Sequence, residues 1–221
     1  MTAQTLHAGD APRPTPDTPS PTVSPGEARR RLLAMNVDLP LCLNVCEATV
    51  AGEVEATRAI AAWAAVAPRC RRGWTLGVMG PTGPALARLA QLGYSLGIGP
   101  SVRVMPMPWD ADRSVLLEAA DAMVALRGGA ATRPVVLEAM RRGTAVLSDR
   151  RTLETQAAAG DEPGWAIDAR DTASISRCLS RLLTDAMMRR ELVTQGRRTA
   201  AMWDAAPPTA PYAGYTLPAA A

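Results

Sequence analysis

The chain has no phenylalanine, no lysine and a single histidine, and it contains no apolar run long enough to cross a bilayer. Each absence removes a class of explanation. The one histidine, His7, lies in a proline-rich stretch, so neither a Ser-His-Asp triad nor a histidine-rich metal site has a core imidazole to use. No segment approaches the roughly 20 apolar residues of a membrane span, and the N-terminus lacks the basic-then-apolar order of a secretory signal. A cytoplasmic protein with no transmembrane segment is the expectation. All 24 basic residues are arginine, a compositional bias from which no mechanism follows. The formal net charge of +3 implies no nucleic-acid partner unless a basic face is clustered. Cys42, Cys46, Cys70 and Cys178 include a C-x3-C pair with no matching second pair, so buried small hydrophobes in a reducing compartment are expected rather than a metal site.

What is present is enough to build a core: 48% of residues are hydrophobic and 20% charged. The composition divides the chain into three. Residues 1–30 form a Pro/Thr-rich arm carrying Pro12, Pro14, Pro16, Pro19, Pro21 and Pro25, which removes backbone donors, blocks helix and offers little to bury. Residues 31–204 are the ordered domain. Residues 205–221 read as a flexible Pro/Ala tail in which Tyr212, Tyr215 and Leu217 could dock on a surface.

Within the domain, short apolar runs alternate with helical periods. Strands are expected at Leu41–Cys46, Trp74–Met79, Val102–Met107, Ala122–Leu126, Thr144–Leu147 and, as a short sixth, Trp165–Ile167. Helices are expected at 53–66, with Pro68 as its stop, and at 84–96. Further helices should start from Arg113 behind an Asp112 cap, run from about Pro134 to Arg142 with Gly143 at C′, and occupy 172–184 and 186–203. Strands this apolar suit burial on both faces, so the fold class is α/β, a doubly wound parallel sheet with disordered tails. Ligands in such domains bind beyond the carboxyl ends of the strands.

Most motif matches fail in context. Gly80–Gly83 has no Lys-Ser or Lys-Thr after it, so it is not a P-loop, and Gly97-Ile-Gly99 follows a helix rather than a strand. Asp110-Ala-Asp112 has metal-binding spacing, but its place before a helix favours capping. The informative segment is Ala122–Ser148. A strand gives way to Gly128-Gly129, where backbone can approach a ligand, and then to a helix N-terminus suited to an anion. Glu138 lies about a turn inside that helix. From periodicity alone it is read as readily as a solvated or arginine-paired surface carboxylate.

The order of elements resembles the C-terminal, nucleotide-sugar-binding domain of retaining glycosyltransferases with the GT-B fold, a Rossmann-like lobe. The matching pieces are Glu118–Asp121, Pro134–Met140 with its LEAM run, and Gly143–Leu147, with looser similarity at Leu76–Pro81 and Leu96–Val102. The resemblance covers about 35–203. It implies a nucleotide-diphosphate sugar as donor substrate, with no cofactor and no bound metal. It also implies that Glu138, as the second glutamate of an E-x7-E pattern, accepts hydrogen bonds from the ribose hydroxyls. The implied donor-binding set is Gly128, Gly129, Ala130, Arg133 and Glu138.

This sequence departs from the pattern at three places. Ala130 stands where the first glutamate would contact the sugar. Glu47 and Gly52 stand roughly where an arginine and a lysine would clamp the diphosphate. Losing two such cations removes charge-assisted bonds of about 1.5–3 kcal/mol each. Arg127 or Arg133 could replace one of them. Two functions follow: the donor-binding lobe of a sugar transferase, completed by an N-terminal GT-B lobe or a glycosyltransferase partner protein, or a catalytically inactive glycosyltransferase-like binding module. In either case the isolated chain is expected to be inactive in transfer.

Overall fold

The computed structural model describes residues 33, 39–108, 110–126, 132–149 and 167–205. The arm, the tail from 206 onward, the glycine loop 127–131 and residues 150–166 lie outside the described residues. Five strands are formed: β1 (Leu41–Val45), β2 (Thr75–Met79), β3 (Val102–Met105), β4 (Ala122–Ala125) and β5 (Ala145–Ser148). Between and after them run α1 (Val50–Ala65), the one-turn α2 (Pro68–Arg71), α3 (Pro84–Ser95), a 3-10 turn at Gly99–Ser101, α4 (Asp110–Ala119), α5 (Thr132–Arg142), α6 (Thr172–Thr184) and α7 (Ala186–Ala205).

All pairings are parallel and the strand order is β3-β2-β1-β4-β5. The order reverses between β1 and β4, so the loops leaving those two strands bound the crevice where doubly wound domains bind ligands. Of the expected sixth strand, Trp165 and Ala166 lie outside the described residues, and Ile167 forms a single parallel bridge with Asp149.

Each face of the sheet is buried by its own helices. Leu41, Leu43 and Val45 pack with Leu116, Leu117, Val136 and Met140 of α4 and α5. Cys42, on an alternate position of the same strand, and Cys46, just past its end, pack with Ile60 and Trp63 of α1 and Leu179 and Leu182 of α6. This two-sided burial is why the strands carry apolar residues at successive positions rather than alternating ones. Helix α7 contributes Met188 and Leu192 to one core and Ala200 to the other. It packs on β5 and α5 and so covers the β5 edge of the sheet.

Local chemistry sets the element ends. Thr49 caps α1 by accepting from the Gly52 N–H at 3.1 Å, and Asp171 caps α6. Gly143 ends α5 at φ +85°, as its C′ position requires. Two expectations are corrected. Asp112 does not cap α4, because the helix already begins at Asp110 and Asp112 lies in its first turn. Pro68 does not merely stop α1. At the first position of α2 its missing N–H is no loss, so it opens a further turn.

Candidate functional site

The mouth of β1 is shaped by backbone more than by side chains. Gly80, at φ +123°, brings its Cα so close to the Cys46 carbonyl that an added Cβ would lie 1.9 Å from that oxygen. Gly52, in the first turn of α1, sits equally tightly on the Glu47 carbonyl, at 2.0 Å for an added Cβ. Gly52 therefore occupies its place for packing, and a longer side chain there would displace the exit of β1. Glu47 is half-buried beside it and puts a negative charge at this mouth. One turn on, Glu53 receives two hydrogen bonds of 2.7 Å from Arg88 of α3. That guanidinium holds the Glu53 carboxyl below its usual range.

Across the reversal point, β4 ends at buried residues up to Leu126, and α5 starts at Thr132. Gly128, Gly129 and Ala130 lie outside the described residues, as does Arg127. Thr132 is buried at the start of α5, and its Oγ1 has no hydrogen-bond partner among the described residues. Arg133 follows, with its guanidinium 5.2 Å from the centre of the Trp203 ring near the end of α7. The stacking ties this cation to the C-terminal helix.

Glu138 lies at the centre of a polar cluster that joins α4 to α5. The Ser114 hydroxyl donates to its Oε1 at 2.5 Å, and Arg142 Nε donates to the same oxygen at 3.2 Å. Arg113 Nε stands 3.6 Å from Oε2, beyond hydrogen-bonding distance. Arg142 also reaches Glu118 at 3.3 Å. The arginine-paired reading of Glu138 is thus correct for both oxygens, Oε1 with Arg142 and Oε2 with Arg113, although Oε2 accepts no hydrogen bond among the described residues. With no hydrogen bond on it among the described residues, and on a side chain 22% exposed, Oε2 retains the capacity to accept from a ligand hydroxyl beside its ion pair with Arg113.

The other motif residues hold the fold. Asp121, in the Glu118–Asp121 run, accepts from the Leu41 N–H at 2.8 Å, clasping the start of β4 to the start of β1 at the opposite end of the sheet from the crevice. Thr144 donates to the Leu117 carbonyl at 3.0 Å and locks α4 against the α5–β5 connection. Burial pushes the Cys42 and Cys46 thiols up to about 12, with Asp121 adding to the effect at Cys42 and Glu55 and Glu47 at Cys46. Thiols this reluctant to ionise serve as small core hydrophobes. No group of three His, Cys, Asp or Glu side chains among the described residues could hold a metal.

Arg113, Ser114 and Trp203 were not legible as neighbours of the site. Ser114 and Glu138 are 24 positions apart, and Arg133 and Trp203 are 70 apart, with no motif linking them.

Residues 48–199 match the family model described as "Glycosyl transferases group 1". The chain belongs to this family. A 130-residue stretch is 35% identical to D-inositol 3-phosphate glycosyltransferase of Salinispora arenicola, covering 57% of this chain and 29% of that protein. The chain therefore spans under a third of the length of this glycosyltransferase relative. Among solved structures it is similar to the C-terminal domain of a glycosyl transferase group 1 family protein from Francisella tularensis. That match has a TM-score of 0.62 and 18% identity, covering 82% of this chain and 95% of that domain. It is also similar to Anabaena HepE, solved with UDP and glucose, with a TM-score of 0.62 and 16% identity, covering 83% of this chain and 48% of that one. At these identities the structures show the fold: a GT-B, Rossmann-like lobe. No helix among the described residues of this group 1 chain is long and apolar enough to cross a membrane.

Proposed function

We propose that this chain is the donor half of a glycosyltransferase, binding a nucleotide-diphosphate sugar in the crevice between the mouths of β1 and β4. The reading rests above all on Glu138. It stands in the LEAM segment of a group 1 chain, on the helix that follows the reversal point, and its Oε2 accepts no hydrogen bond among the described residues. Two adjacent ribose hydroxyls would donate to that carboxylate. The diphosphate would meet the N-terminus of α5, where the Thr132 hydroxyl has no partner among the described residues and the helix dipole favours negative charge. By the family resemblance, Gly128, Gly129 and Ala130, which lie outside the described residues, would belong to the sugar side of the site. Anabaena HepE, which shares the fold, holds UDP and glucose.

Transfer requires a second lobe to carry the acceptor, supplied by an N-terminal GT-B lobe or a partner protein. The chain by itself is not expected to transfer sugar. Glu47 opposes the charge that builds on the leaving diphosphate, Ala130 carries no carboxylate to orient the sugar, and an open crevice leaves the remaining polar contacts at high dielectric. The inactive binding module is the same arrangement with donor recognition kept and transfer lost. Titration with UDP, GDP and ADP tests the reading. Binding of at least one, weakened by Glu138→Ala, is expected. Affinity unchanged in that variant would remove Glu138 from the site.

A further inference from the structure

The two oxygens of Glu138 are unequal. Oε1 takes both the Ser114 hydroxyl at 2.5 Å and Arg142 Nε at 3.2 Å, while among the described residues Oε2 is met by the Arg113 ion pair at 3.6 Å and by no hydrogen bond. A glutamate on a helix has three rotatable bonds, and its terminal torsion is broad. Without a fixed donor the carboxylate plane would turn freely and present either oxygen. The Ser114 bond comes from a different helix, α4, and it joins the only described contact that reaches Glu138 from α5 itself, the i,i+4 pair with Arg142. Two donors on one oxygen from two helices fix the plane and the direction of the other oxygen.

We propose that Ser114 is a positioning residue for donor binding: by holding Oε1 it aims Oε2 at the ribose hydroxyls. It touches no ligand itself and acts through Glu138. The proposal rests on the donor reading above. It differs from a merely structural bond between α4 and α5, which would support the fold equally for any ligand.

The test uses the full chain with UDP, GDP and ADP, each beside its 2′,3′-dideoxy form, which lacks the hydroxyls. Ser114→Ala should weaken the best-binding natural diphosphate about tenfold, in line with loss of a hydrogen bond to a charged group, and leave its dideoxy form within about twofold. Ser114→Thr, which keeps the hydroxyl, should restore most of the affinity and also serves if the alanine variant folds poorly. Equal weakening of the natural and dideoxy ligands by Ser114→Ala would overturn the proposal and make the bond structural. No change in Ser114→Ala, with Glu138→Ala still harmful, would overturn it and leave the donor reading standing. Failure of Glu138→Ala to affect UDP, GDP or ADP, or failure of all three to bind the unaltered chain, would overturn both.

Discussion

Replacing Glu47 by arginine puts a cation where the proposed site has an anion. Glu47 lies two residues beyond β1, and its backbone cannot drift. Gly80 presses on the neighbouring Cys46 carbonyl and Gly52 on the Glu47 carbonyl itself, both closer than a Cβ would allow. The substitution therefore changes charge at a fixed place in the mouth. Two unit charges about 4 Å apart interact by about 1 kcal/mol in water and about 4 kcal/mol at an effective dielectric of 20. Glu47 is half-buried, so the lower figure is the safer one. Relieving repulsion and adding attraction then give about 2 kcal/mol, or about thirtyfold in affinity for a nucleoside diphosphate. Isothermal titration with UDP, GDP and ADP at low salt should show this gain in Glu47→Arg, and a smaller one in Glu47→Gln. The gain should shrink several-fold near 0.5 M salt, where the screening length is a few ångströms. Less than a threefold gain at low salt, in a variant that melts like the parent, would refute the placement of the diphosphate at the mouth of β1.

Three other outcomes are expected. Gly80→Ala should lower stability by more than about 2 kcal/mol, since it combines a positive φ with a clash against the Cys46 carbonyl. Gly73→Ala, with φ +81° but nothing within 4 Å, should cost only about 1 kcal/mol; equal costs in urea unfolding would sink the packing argument. Asp121→Ala should cost about 1–2 kcal/mol by leaving the Leu41 N–H unpaired and should not alter nucleotide affinity, whereas a loss of affinity at unchanged stability would move Asp121 into the site. The raised Cys42 and Cys46 thiols keep their full contribution to stability below the ordinary thiol pKa of about 8.5 and lose it as pH climbs towards 12, at up to about 1.4 kcal/mol per pH unit for each. Urea midpoints followed from pH 8 to 11 should therefore fall more steeply in the parent than in a Cys42→Ala, Cys46→Ala double variant; parallel curves would contradict the burial of these thiols.

The strand and helix sequence of this chain was largely written in its local pattern. Helix α6 runs over 172–184 as its periodicity implies, Gly143 takes the left-handed turn expected after α5, and the successive apolar residues of β1 and β4 announced a sheet covered on both faces. The LEAM run carried the family, because its residues are contiguous along one helix. The surroundings of Glu138 were not legible in the same way. Its carboxylate takes a hydrogen bond from Ser114 and an ion pair from Arg113, 24 and 25 positions away on another helix. Arg133 is held by a tryptophan 70 positions on, and Asp121 proved to be a clasp on β1 80 positions back. Gly52, which looked like a missing cation, is required by a carbonyl five residues earlier that only the turn from β1 into α1 brings against it. Local periodicity fixes which residues share a face, since the backbone repeat is short. Which oxygen of a carboxylate takes a neighbour's hydrogen bonds depends on distances between helices that exist only once they are packed.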